Sequence, residues 1–291
     1  MINLEQIKSQ KSIKELLEFS IINIDKPCNP ASFEVDMIIK ESINAKKTSH
    51  FGTLDPNVTG VLPIALNRAC KLMKYFIGSK KSYVGIMKLH KEINNEELNK
   101  IISKFVGNIV QLPPVKSHVK RQEREREVYS FEILEKNGKE VLFKTEVEAG
   151  TYIRKLIHDI GKETGGAHMA ELRRTNASIF EEKDSFTLFE FLDAVKEYKN
   201  GNEEELRKML ILGEIISQVM PEVQIKKEFK EKLLHGAPIM REYLNYDELA
   251  KLEKIQAKKI ALFCASQFIG VFNLTGENNR IANPDFVMQA I

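Results

Sequence analysis

The stretch HFGTLDPNVTGVLP, residues 50–63, joins an Asp-Pro step to two glycines. Pro56 disfavours α geometry at Asp55, while Gly52 and Gly60 permit tight chain paths. A stiff loop that presents one carboxylate suits a nucleophile or a general base. A plain Asp-Pro turn is the commoner source of such a pattern, so these residues alone leave both interpretations open.

The segments on either side of this loop predict an α/β protein. Upstream, residues 3–19 have the spacing of an amphipathic helix, and residues 19–27 (FSIINIDKP) indicate a buried strand that ends at Pro27. Downstream, residues 64–77 are predicted to be helical and residues 81–90 (KSYVGIMKLH) alternate like a strand. The remaining predictions are a helix that follows Ser32 as its N-cap, a helix capped by Asn94 or Asn95, a hairpin over 128–150 with its turn at Asn137-Gly138, a helix over 151–165, a strand over 167–180, two helices within 185–215 and short strands in the last 70 or so residues.

Composition excludes several classes of protein. The 291 residues are 43% hydrophobic and 29% charged, which is typical of a globular chain and not of a disordered chain, a fibre or a disulfide scaffold. No apolar run approaches the roughly 18 residues that a membrane helix needs. The N-terminal residues lack the pattern of an export signal. Three widely spaced cysteines without metal-ligand spacing predict a cytoplasmic location and no metal site.

Arginine is concentrated in one part of the chain. Six of the ten arginines fall between residues 121 and 174, although the net formal charge is only +3. Guanidinium groups suit forked contacts to phosphate. Glutamates interleave with arginines over residues 121–127, so a surface of internal ion pairs is an equal alternative.

Several motifs, in order along the chain, resemble the TruB/dyskerin family of pseudouridine synthases. They are NIDKP (23–27), GTLDPNVTGVLP (52–63), KSYVGIMKLH (81–90), PPVKSHVKRQEREREVY (113–129), EAGTYIRKLIHDIG (148–161) and GAHMAELRRT (166–175), with LLHGAPI (233–239) resembling the start of a PUA domain. The sequence also departs from the family pattern. Before TLDP, Ser49 stands where glycine is usual and Phe51 where a small residue is usual, and the PUA-like end lacks the Gly-rich turn expected after HGAPI. The resemblance is closest to the archaeal, H/ACA-guided branch.

The resemblance implies roles for individual residues. Asp55 matches the catalytic aspartate, Tyr83 the tyrosine that stacks on the flipped uracil, and Arg154 the arginine that pairs with the aspartate. Leu172 matches the apolar wall of the pocket, and His50 is a further candidate for substrate contact. Lys26 and Pro27 match a motif that supports the active-site loop. The RNA-binding candidates are Lys116, Lys120, Arg121, Arg124, Arg126, Arg173 and Arg174, with Lys226, Lys227, Lys230 and Lys232 in the PUA-like end.

These roles fit the chemistry of the family, in which the base–sugar bond of uridine breaks and re-forms through carbon 5. A stacked base must be flipped out before it is reached, and an aromatic ring can then hold it. Arg154 would fix the orientation of an ionised Asp55. The sequence leaves open whether Asp55 attacks the sugar, attacks the base or removes a sugar proton. The isomerisation changes no redox state, so no cofactor is expected.

The resemblance further implies a domain order and a set of partners. We expect an α/β (α+β) catalytic domain with a mixed, mainly antiparallel sheet over 19–218, a small β-rich PUA domain over 219–291, and an N-terminal helix over 1–18 that packs on the latter. The implied partners are an H/ACA guide RNA, an rRNA or tRNA substrate, a small zinc-ribbon-like protein, a glycine/arginine-rich accessory protein and a kink-turn-binding ribosomal-type protein, with no membrane. The alternatives are a stand-alone tRNA enzyme, a non-catalytic RNA-binding scaffold and, more remotely, a metal-dependent hydrolase.

Overall fold

The computed structural model describes residues 2–113 and 120–289. Two compact units make up the chain. The large unit is Ile21–Leu210, and the small unit combines Met1–Ser20 with Ile211–Ile291.

The helices and strands have the following bounds. The helices are α1 (Leu4–Gln10), α2 (Ile13–Glu18), α3 (Ser32–Ser42), α4 (Met73–Phe76), α5 (Asn95–Ser103), α6 (Ile153–Glu163), α7 (Leu188–Lys199), α8 (Glu204–Met209), α9 (Lys230–Leu234) and α10 (Tyr246–Glu253). The strands are β1 (Ser20–Lys26), β2 (Thr48–His50), β3 (Thr59–Leu66), β4 (Lys81–Leu89), β5 (Gly107–Gln111), β6 (Arg124–Asn137), β7 (Glu140–Val147), β8 (Ala167–Ala177), β9 (Phe180–Glu181), β10 (Phe186–Thr187), β11 (Leu210–Leu212), β12 (Glu222–Gln224), β13 (Ile239–Met240), β14 (Lys259–Cys264), β15 (Gln267–Leu274) and β16 (Arg280–Val287).

The large unit is built on a mixed sheet in the order β10-β1-β3-β8-β4-β7-β6-β5. The pairs β1–β10 and β3–β8 are parallel, and the other neighbours along this path are antiparallel. The mixed, mainly antiparallel sheet expected from the sequence is therefore confirmed. Strand β1 ends one residue before Pro27, because proline has no N–H to donate to the ladder.

At the centre of this sheet, β8 lies between β3 and β4, and this arrangement joins distant motifs. Gly60 on β3 lies beside Arg174 on β8, and Arg174 is also the cross-strand partner of Tyr83 on β4. A Cβ atom placed on Gly60, whose φ is +100°, would lie 2.2 Å from the carbonyl oxygen of Arg174. Only glycine permits this approach of the two backbones.

Two helix predictions, over residues 3–19 and 64–77, need correction. Residues 3–19 form two helices because Ser12 begins a new one: the Ser12 hydroxyl accepts from the Glu15 N–H, and the Glu15 carboxylate accepts from the Ser12 N–H at 2.8 Å. Residues 64–77 are not one helix, because β3 continues to Leu66. That strand is buried on both faces, and a continuous apolar run of this kind has no period that distinguishes a strand from a helix.

The small unit contains a five-stranded sheet in the order β12-β14-β15-β16-β13. Its core includes Val223, Leu262 and Phe272, all fully buried. The expected β-rich C-terminal region is present, but helices α9 and α10 were not predicted. The assignment of this unit to the PUA family stays a prediction.

Within the described ranges, no helix combines the length and the apolar character needed to cross a membrane.

Candidate active site

Two buried polar side chains, Lys26 and Ser32, hold the backbone of the loop that carries Asp55 by hydrogen bonds. The Lys26 ammonium donates to the carbonyl oxygens of Pro27 at 2.8 Å and Pro56 at 2.9 Å. The Ser32 hydroxyl accepts from the Leu54 N–H at 2.8 Å and lies 2.9 Å from the Leu54 carbonyl oxygen. Burial lowers the pKa of Lys26, and the neighbouring Cys28 and Asp55 partly oppose this shift. The backbone on both sides of Asp55 is therefore fixed.

The Asp55 side chain is exposed to solvent and forms an ion pair with Arg154. Its carboxylate accepts a hydrogen bond from the Arg154 guanidinium, and the two side chains are 53% and 58% exposed. Arg154 lies in the first turn of α6, which begins after Tyr152. The structure thus brings together Asp55 and Arg154, which are 99 residues apart. An exposed pair of this kind contributes little to stability, so its significance is orientation of the carboxylate.

Arg174 is the buried link between the loop and Tyr83. Its guanidinium donates to the carbonyl oxygens of Val61 at 2.7 Å and Gly52 at 2.9 Å, and only 1% of the residue is exposed. Burial lowers the pKa of Arg174, and the neighbouring Tyr83 hydroxyl partly offsets that shift. The prediction that Arg174 contacts RNA is wrong, because its donors are committed to the protein interior.

Tyr83 and Leu172 lie on one face of the central sheet. Tyr83 pairs with Arg174 and Gly85 pairs with Leu172 across β4 and β8, so the side chains of all these positions share a face. Tyr83 and Leu172 are each 7% exposed. Gly85 leaves room for Leu172, since a Cβ there would lie 2.9 Å from a Leu172 methyl carbon. An aromatic ring and an apolar wall therefore adjoin the Arg174 link.

His50 is occupied by contacts within the protein. Its Nδ1 lies 2.5 Å from an Asp36 carboxylate oxygen and its Nε2 lies 3.1 Å from the Thr53 hydroxyl. With both ring nitrogens engaged, His50 supports the loop four residues before Leu54. Its predicted contact with the substrate stays a prediction, and in this structure both ring nitrogens lie against protein groups.

Phe51, one of the residues that depart from the family pattern, anchors the loop in the core. It is 2% exposed, stacks on Phe76 at a centroid distance of 5.2 Å and meets Phe180 edge-on at 5.8 Å. Aromatic pairs of this geometry stabilise beyond the area that they bury. The bulky residue therefore supports the loop and does not obstruct it.

Lys81 provides a prediction on stability and pH. It is 6% exposed, and burial, followed by the charge of Arg174, lowers its pKa from 10.5 to about 8. Between these values the unfolded chain binds more protons than the folded chain, so this residue makes stability rise with pH. Relative to a Lys81→Met variant, we expect the wild-type free energy of unfolding to increase by about 3 kcal/mol between pH 7.5 and 10.5. Urea unfolding of both proteins at several pH values measures this, and parallel curves would contradict it.

The predicted RNA-binding cations differ in their surroundings. Lys120 and Arg121 are exposed, and Arg124 and Arg126 are half-buried on β6. Lys116 lies outside the described residues. Arg173 donates two hydrogen bonds to Asp25 at 2.8 and 2.9 Å and one to Glu182 at 2.5 Å. The charge of Arg173 is thus balanced by two carboxylates, and its contact with RNA stays a prediction.

In the small unit the four predicted lysines are not equivalent. Lys226 donates to the Glu242 carbonyl at 2.7 Å, and the Lys232 ammonium lies 5.7 Å from the centre of the Phe229 ring. Lys227 and Lys232 are exposed. Their contact with RNA stays a prediction. Across residues 2–113 and 120–289, no group of three or more His, Cys, Asp or Glu side chains has the arrangement of a metal site.

Several supporting residues were not found by reading the sequence. Ser32 was interpreted as a helix cap, yet Ala31 occupies that position and the Ser32 hydroxyl holds Leu54. Asp36 and Lys81 gave no signal, since their partners lie on other elements. The adjacent arginines of the RRT motif (173–175) were the one available hint, but the sequence did not indicate that the second is buried.

Two protein-family models match most of the large unit. The family described as "TruB family pseudouridylate synthase (N terminal domain)" matches residues 40–153, and the "tRNA pseudouridylate synthase B C-terminal domain" matches residues 154–214. A "Probable tRNA pseudouridine synthase B" of Methanocaldococcus jannaschii is 42% identical over 232 residues, which cover 79% of this chain and 69% of that protein. The protein of the same description from Methanopyrus kandleri is 44% identical over 230 residues, covering 78% and 68%.

Solved structures extend the similarity to nearly the whole chain. A chain of "Crystal Structure of a Cbf5-Nop10-Gar1 Complex" matches with a TM-score of 0.86 and 34% identity, over 97% of this chain and 89% of that one. A chain of "Structure of H/ACA RNP bound to a substrate RNA containing 2'-deoxyuridine" matches with a TM-score of 0.84 and 31% identity, over 97% and 89%.

Proposed function

We propose that this chain, which belongs to the TruB family of pseudouridine synthases, is the catalytic subunit of an H/ACA guide ribonucleoprotein that modifies rRNA. As a member of that family it is an isomerase that converts uridine in RNA to pseudouridine. The guided form of the reaction is our proposal. The observation that carries it is the structural match to H/ACA proteins over 97% of the chain, which reaches beyond residue 214, where the family match ends.

We assign the chemistry to the Asp55 carboxylate. The reaction breaks the bond from the sugar C1′ to N1 of uracil, forms a bond from C1′ to C5, and moves a proton from C5 to N1. The exposure of Asp55 allows a flipped nucleotide to reach it, while Lys26 and Ser32 keep its backbone still. A fixed carboxylate loses little freedom at the moment of reaction, which lowers the barrier.

Tyr83 and Leu172 are proposed to hold the flipped base. Stacking on the Tyr83 ring would replace the stacking that the base loses on leaving its neighbours. The Arg174 link supports this assignment, because one guanidinium binds the Asp55 loop through Gly52 and Val61 and also adjoins Tyr83. The base platform and the carboxylate would then keep a constant separation.

A stand-alone tRNA enzyme is the second candidate, and the names of the archaeal relatives favour it. The two functions differ in what reads the RNA sequence. In a guided enzyme, base pairing to the guide selects the uridine, and the protein contacts backbone and shape. The exposed Lys120 and Arg121 suit backbone contact in either case.

The partners are proposed with the guided function. The matched structures are described as complexes with Nop10 and Gar1 and as an H/ACA RNP with substrate RNA, and we propose equivalents of these for this chain. They correspond to the zinc-ribbon-like and glycine/arginine-rich proteins expected from the sequence. A kink-turn-binding protein and a cytoplasmic location remain predictions.

Mapping of pseudouridine separates the two candidate functions. The pure protein would be incubated with a tRNA transcript, and separately with an rRNA fragment with or without a guide RNA and the two small proteins. We expect modification of the rRNA fragment only when the guide is present. Efficient modification of tRNA by the protein alone, with no guided modification of rRNA, would overturn the proposal in favour of the stand-alone enzyme.

A further inference from the structure

Gln111, the last residue of β5, is a buried amide whose hydrogen bonds go to a single neighbour. Only 2% of the residue is exposed. Its side-chain oxygen accepts from the Tyr152 N–H at 3.0 Å, and its side-chain nitrogen donates to the Tyr152 carbonyl oxygen at 3.2 Å. One side chain thus satisfies both backbone groups of Tyr152, as a paired strand would. Without it, the Tyr152 N–H would lose its partner, which is costly, while the carbonyl oxygen would keep only the Leu156 N–H at 2.9 Å.

Tyr152 is the residue from which the Arg154 helix starts. It stands at the N-cap of α6 with extended backbone angles (φ −90°, ψ 102°), and no side chain of its own caps the helix. Fixing both its N–H and its C=O sets the direction in which α6 begins. Arg154 follows two residues later, and its guanidinium must reach across open solvent to Asp55. The position of the Arg154 backbone therefore depends on Gln111.

Gln111 is also held by the sheet of the large unit. Its backbone is the cross-strand partner of Arg124 on β6. The residue thus joins β6 through its backbone and the start of α6 through its side chain.

We propose that Gln111 is a positioning residue for the reaction: by clamping Tyr152, it holds Arg154 where it meets the Asp55 carboxylate. This inference rests on the proposed role of the Asp55–Arg154 pair. In this role Gln111 makes no contact with the substrate and acts only through the start of α6.

The first test removes the two hydrogen bonds between Gln111 and Tyr152 while nearly keeping the shape of the side chain. In Gln111→Met both hydrogen bonds to Tyr152 are lost and the side-chain length is kept. We expect the single-turnover rate, on whichever RNA the wild-type protein or its guide complex modifies, to fall by about 10- to 100-fold, since small misplacements of catalytic groups have effects of that size. The dissociation constant for the RNA should stay within about twofold. Thr164→Val is the matched control, because it deletes a buried side-chain hydrogen bond (to the Ile160 carbonyl oxygen, 3.3 Å) at the opposite end of α6.

The second test uses pH and stands even if Gln111→Met folds poorly. In Gln111→Glu an ionised carboxylate accepts from the Tyr152 N–H but has no donor for the carbonyl, whereas the protonated carboxyl has both. Burial disfavours the charged form. We expect the rate of Gln111→Glu, relative to wild type, to rise by about tenfold as the pH is lowered from 8 to 5.5. Gln10→Glu, at an exposed position of α1, should show the wild-type profile.

The outcomes separate this inference from the proposed function. If Gln111→Met retains the wild-type rate, or if Gln111→Glu follows the wild-type pH profile, the positioning role is wrong, while loss of activity in Asp55→Asn would still support the assigned site. If Asp55→Asn is active, the assigned site fails whatever Gln111 does. A rate loss in Gln111→Met that equals the loss of RNA affinity would also overturn the inference, since it would point to RNA binding alone.

Discussion

An Asp55→Asn variant is expected to fold normally and to form pseudouridine at least about 100-fold more slowly than wild type. The side chain keeps its shape, and the amide oxygen can still accept from Arg154. What is lost is the charge and basicity of the carboxylate. General acid–base catalysis contributes about 100- to 10,000-fold, and a covalent role would make the loss larger. Pseudouridine is measured by single-turnover release of tritium from C5-labelled uridine in RNA.

Asp159→Asn is the matched control for this measurement. Asp159 is also an ion-paired aspartate of the large unit, held by Lys155 and by Lys162 at 2.7 Å. We expect its loss to leave the rate within about twofold. An Asp55→Asn protein with a rate near wild type would place the chemistry on another residue, and would leave the non-catalytic scaffold as the better explanation of this site.

Arg174→Met is expected to destabilise the large unit by about 2–5 kcal/mol and to abolish most activity in the fraction that stays folded. The substitution leaves the Val61 and Gly52 carbonyl oxygens without their donor, at about 1–3 kcal/mol for each buried group. Relief of a buried charge offsets part of this cost. Activity should fall further than stability, because the same guanidinium joins the Asp55 loop to the neighbourhood of Tyr83. Urea unfolding and rates per folded molecule measure the two effects.

Arg173→Met provides the comparison one residue away. Arg173 is partly exposed, with 35% of its side chain accessible, and is paired with Asp25 and Glu182. Partly exposed ion pairs contribute about 1 kcal/mol or less each. Equal destabilisation by the two substitutions would contradict the view that burial of Arg174 is what matters, since both remove a hydrogen-bonded arginine from the same strand.

Reading the sequence identified the residues that the structure places at the surface of the site. Asp55 stood out because its loop has an unusual composition, Arg154 was identified through the family resemblance, and the two side chains are in contact. The ordinary residues that hold them did not stand out. Gln111 and Ser32 look like a loop residue and a helix cap until their partners, 41 and 22 residues away, are known.

The local pattern of this chain determined where most strands and helices begin and end, because periodicity, caps and Pro or Gly breaks act over a few residues. It determined, through Pro56, Gly52 and Gly60, that Asp55 sits on a constrained turn. Tertiary structure alone decided that β8 runs between β3 and β4. That placement buries Arg174, which had been predicted to contact RNA. Its guanidinium instead forms hydrogen bonds that hold the Asp55 loop. Burial of a charged side chain depends on carbonyl groups supplied from distant strands, so no local signal in the sequence reports it.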